Sequence, residues 1–389
     1  MALEKNLMAD TEKFMRTYPP LSEAEALEQL NRQIARIRAV SPFYARRYAG
    51  LSAEPLSSLE ELKTLPCMTQ KDIVRGGKQL LCCPPGQVRR MVTMQTSGTT
   101  GAPKRLAFSD RDLADTADFF REGMRLLCGP GDRVMIFMPG SHPDGLCDLL
   151  SRGIRGFGGI PRVYGPIRDY ADAARVCQAW MPEVMVGVPV QIRRLALTAP
   201  DLRPRRVLLS ADYGAPALFQ TVERVWGCQA LNHYGMTESG LGCAVETPVR
   251  DGMHIRRDIL LETLEDGELA LTTLRRQAMP LIRYRTGDLG EILSGGILKA
   301  VYGRKAEREQ KLSVCRLDQI LFACDPVLDY QAGIRDGCLT VAVAGGRAAE
   351  TAAGKALEEA GLGMAVKVYE DENVFSDGVH KRSVRTEEG

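Results

Sequence analysis

The feature that most constrains the fold is an alternation of short apolar runs with longer amphipathic runs between residues 134 and 234. Four apolar runs have the length of buried strands, namely residues 134–138, 184–188, 207–210 and 230–234. The runs between them place apolar residues at helical spacing, at residues 172–180, 191–197 and 217–225. Because strands that alternate with helices form largely parallel sheets covered by helices, the pattern predicts an α/β fold.

The pattern changes near residue 250 and again near residue 303. Glu265-Asp266-Gly267 lies between two apolar runs, which predicts an antiparallel hairpin over residues 260–274. Beyond residue 303 the sequence predicts a helix, a hairpin across Arg335-Asp336-Gly337, and a further helix and strand. We therefore predict a large domain over residues 1–302, with an α/β core at 90–245 and a β-rich subdomain at 250–300, and a small mobile α+β lid domain over residues 303–389.

The charge balance gives no reason to expect a nucleic acid or a membrane as partner. The 389 residues include 51 basic and 49 acidic side chains, for a net charge of +2. The N-terminus lacks the layout of a signal peptide, so we expect a cytoplasmic protein. The eleven cysteines include no Cys-x-x-Cys pair, which predicts buried thiols in a reducing compartment rather than a metal site.

Residues 94–104, Met-Gln-Thr-Ser-Gly-Thr-Thr-Gly-Ala-Pro-Lys, combine hydroxyl side chains, glycines and one lysine. Such a loop suits a polyphosphate, because backbone N–H groups, hydroxyls and a cation can all approach its oxygens. The loop is not of the Walker type, since Pro103 precedes Lys104 and Arg105 follows it. Pro103 also disfavours a helix start at Ala102. We predict a mobile loop between two strands that closes over phosphates; an ordinary Gly/Thr hairpin turn is the alternative.

Two further segments place polar groups next to predicted strands. His233-Tyr234-Gly235-Met236-Thr237-Glu238 offers an aromatic face for a base, a hydroxyl for a phosphate and a carboxylate for Mg²⁺. Ser210-Ala211-Asp212 ends a neighbouring strand, and ligands gather at the carboxyl ends of parallel strands. The alternative is that Tyr234 is a core residue and Glu238 a solvated loop charge.

A third segment, Tyr284-Arg285-Thr286-Gly287-Asp288, is predicted to place Asp288 in a turn after a strand. A carboxylate in that position can accept hydrogen bonds from both hydroxyls of a ribose. Alternatively, Asp288 stabilises its own turn, which is a common role of aspartate.

Taken in order, the three segments resemble the adenylate-forming superfamily, which comprises acyl-CoA synthetases, luciferases and peptide-synthetase adenylation domains. Within it the chain is most similar to the phenylacetate–CoA ligase family, a likeness shared more weakly by residues 41–48, 58–62 and 65–72. The resemblance implies a ligase that activates a carboxylic acid with ATP and Mg²⁺, forms acyl-AMP and pyrophosphate, and transfers the acyl group to coenzyme A. Relatives in this family are often dimers, so a homodimer is also implied.

The resemblance implies roles for individual residues. Glu238 would hold Mg²⁺, Tyr234 would stack on the adenine, Asp288 would clamp the ribose, and Arg304 would reach ribose or phosphate from the domain junction. The implied catalytic residues are Lys104, Thr237, Glu238 and Lys381. The implied nucleotide-binding residues are Ser97, Gly98, Thr99, Thr100, Gly101, Lys104, Ala211, Asp212, His233, Tyr234, Gly235, Met236, Thr237, Asp288 and Arg304.

The C-terminus departs from the family pattern, which ends in a Gly-Lys pair whose lysine drives adenylation. Here Val379 follows Gly378, and Lys381 lies two residues further on. Either Lys381 substitutes through a shift of the local backbone, or Lys381 and Arg382 form a basic tail. Loss of one transition-state contact costs about 10²–10³ in rate and leaves nucleotide binding intact.

A second departure concerns a structural zinc that many members of the family hold with cysteines and a histidine. His254 remains, but Thr247, Ala300 and Tyr302 stand where cysteines are expected. Because one ligand cannot hold a tetrahedral zinc ion, we predict no zinc site.

The acid pocket of the family lies beside the Tyr-Gly-Met-Thr-Glu segment. Small residues there favour a flat aromatic acid such as a phenylacetate or benzoate. The candidate lining residues are His142, Pro143, Val186, Val188, His233, Gly240 and Leu241. Two other functions stay open: an adenylating enzyme that stops at the adenylate or uses an acceptor other than coenzyme A, and an ATP-binding regulatory protein that has lost catalysis.

Overall fold

The computed structural model describes residues 2–94, 103–293, 295–305, 312–374 and 384–386. Predicted roles that fall outside these ranges stay predictions. They are the roles of Ser97, Gly98, Thr99, Thr100, Gly101 and Lys381.

The helices occupy both ends and the middle of the chain. In the described ranges the α-helices are α1 (Ala2–Thr17), α2 (Glu23–Val40), α3 (Pro42–Arg47), α4 (Gln70–Gly76), α5 (Asp110–Met124), α6 (Leu146–Arg155), α7 (Tyr170–Trp180), α8 (Pro189–Thr198), α9 (Pro216–Trp226), α10 (Val314–Leu321) and α11 (Gly346–Glu359). Short 3₁₀ helices cover Leu59–Thr64, Gly77–Leu80, Pro85–Gln87 and Thr237–Ser239. Within these described helices none is both long enough and apolar enough to cross a bilayer.

The strands begin after the first four helices. They are β1 (Val88–Met94), β2 (Lys104–Ser109), β3 (Arg133–Phe137), β4 (Ile160–Val163), β5 (Val184–Gly187), β6 (Arg206–Leu209), β7 (Gln229–Tyr234), β8 (Ala244–Glu246), β9 (Met253–Ile255), β10 (Ile259–Thr263), β11 (Glu268–Thr273), β12 (Tyr284–Leu293), β13 (Ile297–Arg304), β14 (Asp329–Arg335), β15 (Cys338–Ala344), β16 (Ala365–Glu370) and β17 (Val384–Thr386).

Local capping explains where two of the helices begin. Ser22 caps α2: its hydroxyl accepts from the Glu25 N–H, and the Glu25 carboxylate accepts from the Ser22 N–H at 2.9 Å. Ser109 and Asp112 form the same reciprocal pair at the start of α5. Such a capping box satisfies two N–H groups that the first turn leaves without a helical partner.

The chain divides into two compact units. Unit 1 comprises residues 1–126 and 234–301, and unit 2 comprises residues 127–233 and 302–389. The division predicted from sequence, at residue 302, stays a prediction.

Unit 1 contains the β-rich part of the chain. Its strands follow the order β10-β11-β12-β13-β9-β8, and the pairs β10–β11, β11–β12, β13–β9 and β8–β9 are antiparallel. The β10–β11 pair is the hairpin predicted over residues 260–274. Strands β1 and β2 form a separate antiparallel hairpin, in which Met94 pairs with Lys104. These two strands flank the predicted phosphate loop, whose residues 95–102 lie outside the described ranges.

Unit 2 contains the predicted α/β pattern. Its strands follow the order β7-β6-β5-β3-β4, and the neighbours are parallel. Helices α7, α8 and α9 contribute to a core that includes Phe137, Ile192 and Trp226, which are all fully buried or nearly so. The C-terminal strands form a second sheet in the order β16-β15-β14-β17.

A buried arginine joins the two parts of unit 2. Arg193 of α8 is fully buried and donates hydrogen bonds to the carbonyl oxygens of Val327 at 2.6 Å and Cys324 at 3.0 Å. Its guanidinium also lies 5.2 Å from the centre of the Phe322 ring. Burial lowers the pKa of Arg193 to about 10.

The α/β class is confirmed, and the structure corrects several element boundaries. Gly129-Pro130-Gly131 predicts the end of α5, but the helix ends at Met124, and residues 125–127 form a turn in which Leu126 and Leu127 are fully buried. The sequence predicts the start of the next helix near Leu317, but α10 begins at Val314, because the Ser313 side chain accepts from the Arg316 N–H. Elements that the sequence analysis did not predict include α1, α6 and the short strands β4, β8 and β9.

Candidate functional site

The lysine of the predicted phosphate loop starts strand β2. Lys104 is 8% exposed, and the β1–β2 ladder holds its backbone opposite Met94. A lysine side chain is rarely buried unless its ammonium is paired. Lys104 is paired with the carboxylate of Glu238 through Oε1.

Glu238 lies in the 3₁₀ turn Thr237–Ser239, which follows β7. The turn is closed by Ser239, whose hydroxyl donates to the Met236 carbonyl at 2.8 Å. Arg276 donates to the main-chain carbonyl of Glu238 at 2.5 Å, and Thr116 donates to the Gly240 carbonyl at 3.0 Å. The backbone around Glu238 is therefore held from outside the turn as well as within it.

Tyr284 completes the cluster around the Glu238 carboxylate. Its hydroxyl donates to Oε1 of Glu238 at 2.8 Å, and its ring centre lies 6.0 Å from the Lys104 ammonium. Glu238 is 3% exposed and Tyr284 is 2% exposed, so the ion pair is shielded from water. Charge interactions are stronger in such a site than at the surface.

Asp288 is also buried and also held by a tyrosine. The Tyr234 hydroxyl donates to Oδ2 of Asp288 at 2.8 Å. Burial and, to a lesser degree, the Asp288 charge raise the pKa of Tyr234 well above its ordinary value. The phenol therefore stays a hydrogen-bond donor at neutral pH.

The structure corrects the predicted setting of Asp288. Asp288 does not follow a strand in a turn but lies inside β12, next to a shift of register against β11. Gly287 has φ of 79°, and the Asp288 N–H donates to the Thr286 hydroxyl at 3.1 Å. A glycine in this conformation is typical of a β-bulge, which redirects the neighbouring side chain.

Unit 2 contains Ala211, Asp212, His233 and Arg304. Ala211 follows β6 with φ of 75°, a left-handed conformation that costs a residue with a Cβ about 1–2 kcal/mol. Asp212 accepts from the N–H of its neighbour Tyr213 at 2.9 Å. Arg304 is the last residue of β13 and is exposed.

His233 is a buried, uncharged histidine at neutral pH. Its Nδ1 lies 2.7 Å from the hydroxyl of Ser210, which follows the adjacent strand β6. Burial lowers the pKa of His233 to about 4. The pair places two polar groups at the carboxyl ends of neighbouring parallel strands, where ligands commonly bind.

The region of the family's zinc site holds a hydrogen-bonded cluster. His254 Nε2 lies 3.1 Å from both carboxylate oxygens of Asp251, and the Thr247 hydroxyl donates to Asp251 at 2.8 Å. In the described part of the chain, no three or more His, Cys, Asp or Glu side chains are grouped so that they could hold a metal ion.

Three residues that contact predicted site residues of their own unit received no role from the sequence. Tyr284 belongs to the recognised Tyr-Arg-Thr-Gly-Asp segment, so its motif was a signal for it. Ser210 belongs to the Ser-Ala-Asp segment. Arg276 lies in no motif, and only the fold brings its guanidinium to Glu238.

Of the candidate acid-pocket residues, Val186 and Val188 are buried, and Gly240 and Leu241 both have left-handed backbones with φ of 81° and 73°. His142 is exposed, and its Nδ1 lies 3.2 Å from the carbonyl of Pro143.

Comparison with known sequences finds a family model and several relatives that this chain resembles. Residues 67–258 match the model of the AMP-binding enzyme family. Phenylacetate-coenzyme A ligases of Pseudomonas putida and Escherichia coli are 29% and 28% identical over 278 residues, which is 65% of this chain and 63% of each relative. The ligase of Thermus thermophilus is 28% identical over 292 residues, 67% of this chain and 64% of the relative. The matched stretch thus spans less than two thirds of each of these relatives.

Comparison with solved structures confirms the fold. A 2-hydroxyisobutyryl-CoA ligase in its postadenylation state has a TM-score of 0.78 at 19% identity, covering 94% of this chain and 90% of its own. An anthranilate CoA ligase in complex with anthranoyl-AMP has a TM-score of 0.56 at 16% identity, covering 75% of this chain and 64% of its own. The predicted resemblance to adenylate-forming enzymes is confirmed by these matches and by the family model.

Proposed function

We propose that this chain, a relative of AMP-binding enzymes and phenylacetate-coenzyme A ligases, is an AMP-forming acid–thiol ligase. In the first half-reaction a carboxylate oxygen of the acid attacks the α-phosphorus of ATP. The bond from that phosphorus to pyrophosphate breaks, and acyl-AMP forms. In the second half-reaction the deprotonated thiol of coenzyme A attacks the acyl carbon, and AMP leaves with the bonding electrons.

The observation that carries the proposal is the buried cluster of Lys104, Glu238 and Tyr284. A cation and an anion are withdrawn from water where the glycine- and hydroxyl-rich loop ends. These are the charges that complement a polyphosphate and its metal ion. Phosphoryl chemistry depends mainly on positioning and on stabilising charge, and a shielded site does both.

Glu238 fits a magnesium ion. Mg²⁺ commonly takes one or two protein carboxylates together with phosphate oxygens and water. An Mg²⁺ ion bound there would neutralise part of the negative charge of the phosphates. Lys104 would offer its ammonium to a phosphate oxygen, and Thr237, in the same turn, would offer a hydroxyl to the α-phosphate.

Tyr234 and Asp288 support recognition of the nucleoside. A carboxylate offers about four lone-pair sites, so Asp288 can accept ribose hydroxyls in addition to the Tyr234 phenol. The hydrogen bond to Asp288 also fixes the orientation of the Tyr234 ring, on whose face an adenine can stack.

An arylacetic or related aromatic acid is the proposed substrate, because the relatives named above are phenylacetate-coenzyme A ligases. The structure does not bear out the predicted room for a flat ring at Gly240 and Gly242, because a Cβ at these positions would lie 2.7 Å from Arg276 and from Phe119 respectively. A cytoplasmic location and a homodimer stay predictions.

The test is to incubate the protein with Mg·ATP and a panel of aromatic acids and to follow the phosphorus products by ³¹P NMR. The proposal predicts AMP and pyrophosphate only when an acid is present, and a thioester in the mass spectrum when coenzyme A is added. Formation of AMP without any thioester would identify an enzyme that stops at the adenylate. ATP binding without turnover across the whole panel would favour the regulatory alternative and contradict the proposal.

A further inference from the structure

The Lys104–Glu238 ion pair, called here the resting pair, joins two groups that ATP and its metal ion would each need. Both side chains are buried, with Lys104 8% and Glu238 3% exposed. Each neutralises the other in a site with little access to water. A nucleotide and a metal ion can therefore engage these groups only if the pair separates.

The two partners are held differently. The Glu238 carboxylate accepts from the Tyr284 hydroxyl at 2.8 Å, and its main-chain carbonyl accepts from Arg276 at 2.5 Å. Lys104 is held through its backbone in the β1–β2 ladder, and its ammonium ends a flexible four-carbon stem. The lysine is thus the partner able to move, while the carboxylate stays in place.

We propose that the resting pair keeps the site closed in the ligand-free protein and opens when Lys104 and Glu238 exchange partners; we call this arrangement the lock. Lys104 would leave Glu238 for a phosphate oxygen of the nucleotide, and the freed Glu238 carboxylate would then be able to hold Mg²⁺. Tyr284 acts as a positioning residue that keeps the carboxylate oriented during the exchange. This inference rests on the proposed function, because it assigns an entry step to the same nucleotide site.

The exchange couples the binding of nucleotide to the binding of metal. Without metal, a nucleotide that drew Lys104 away would leave the Glu238 charge buried and uncompensated, which is unfavourable, so Lys104 stays paired with Glu238. Metal without nucleotide must compete with Lys104 for the carboxylate. Each ligand therefore strengthens the binding of the other, and the two effects are equal by linkage.

The test is a double-mutant cycle of nucleotide binding, with titration calorimetry of a non-hydrolysable ATP analogue in the presence of a chelator. The variants are Glu238→Gln, Lys104→Gln and the double variant. In the parent protein Lys104→Gln is expected to change metal-free affinity less than threefold, because the lysine is engaged with Glu238. In the Glu238→Gln background the same change is expected to weaken affinity at least tenfold, because the freed lysine then binds phosphate. If Lys104→Gln changes the metal-free affinity for the analogue equally in both backgrounds, the proposed lock is wrong.

A second measurement does not depend on the Glu238 variant. Lys104→Gln removes the competitor for the carboxylate, so Mg²⁺ alone should bind at least tenfold more tightly than to the parent protein. Unchanged binding of Mg²⁺ alone would also overturn the lock. Glu291→Gln, which removes an exposed carboxylate 3.1 Å from Lys299, is the matched control and should change neither titration.

The failure of the lock and the failure of the proposed function are distinguishable. If the parent protein binds the analogue with Mg²⁺ but the two backgrounds respond equally to Lys104→Gln, only the exchange is wrong. If the parent protein binds no analogue even with Mg²⁺, the nucleotide site itself is wrong.

Discussion

At the residue scale, two buried carboxylates of unit 1 are each held by the hydroxyl of a tyrosine. Tyr284 donates to Glu238 and Tyr234 donates to Asp288, both at 2.8 Å. A neutral donor orients a carboxylate without cancelling its charge. Asp288 can thus still accept hydrogen bonds from hydroxyl groups of a ligand, whereas the Glu238 carboxylate is also paired with Lys104.

Replacing Asp288 tests the proposed contact between its carboxylate and the hydroxyls of the ribose. Asp288→Asn keeps the shape but removes the charge, and hydrogen bonds to charged groups contribute about 1.5–3 kcal/mol. We expect nucleotide affinity to fall about 10–100-fold in calorimetry. Asp336→Asn, in the exposed turn between β14 and β15, is the control. Equal affinity of the Asp288 variant and the parent protein would remove Asp288 from the site.

His233 predicts a pH dependence of stability. Its folded pKa of about 4 lies below the ordinary value, so the unfolded chain takes up the proton first as pH falls. The contribution of neutral His233 is complete above pH ~6.5 and is lost as pH falls towards 4. Between pH 7.5 and 4.5 this loss is about 2–3 kcal/mol.

The matched measurement is urea unfolding of the parent protein and of His233→Gln at both pH values. The parent protein should lose about 2–3 kcal/mol more than the variant over this interval. Parallel losses in the two proteins would show that His233 is charged or exposed in the folded state.

At the element scale, the segment after β6 stores backbone strain. Ala211 has φ of 75°, and a non-glycine residue in this region is strained. Ala211→Gly should therefore stabilise the fold by about 1 kcal/mol, as measured by urea unfolding. The control is Ala352→Gly inside α11, which should destabilise by about 1 kcal/mol. Destabilisation by Ala211→Gly would contradict the left-handed conformation.

Long periodic elements could be predicted from sequence, and short or non-local ones could not. The helical spacing of Leu27, Leu30, Ile34 and Ile37 predicts α2, and the Asp-Gly turn predicts the β10–β11 hairpin. Three-residue strands such as β8 and β9 are too short to show a period.

The same limit applies to the site. The three motifs predicted roles for Lys104, Glu238 and Asp288, which the structure shows to be buried charged residues with hydrogen-bonded or ionic partners. Their roles in nucleotide binding stay predictions. The prediction that Asp288 lies in a turn was wrong, because a bulge inside a strand leaves no sequence signal other than Gly287. The contact of Arg276 with Glu238 joins residues far apart in sequence, so only the fold reveals it.

At the scale of the whole molecule, Arg193 joins the helical layer of unit 2 to its C-terminal part. Arg193→Met keeps most of the volume but leaves the Val327 and Cys324 carbonyls without their donor. We expect a loss of about 2–4 kcal/mol in the free energy of unfolding.

The adjacent Arg194 provides the control. Its guanidinium lies 4.5 Å from the centre of the Tyr170 ring, and the residue is partly exposed. Arg194→Met should cost less than about 1 kcal/mol. If the two variants unfold at the same urea concentration, Arg193 does not hold the C-terminal part of unit 2.

The exchange of labelled pyrophosphate into ATP, measured with phenylacetate and related aromatic acids, tests the ligase function most directly. Acid-dependent exchange that falls at least 100-fold in Glu238→Gln is the predicted result, since that variant loses the carboxylate that we propose to hold Mg²⁺ beside the phosphates. Exchange that needs no acid, or that Glu238→Gln leaves unchanged, would contradict it.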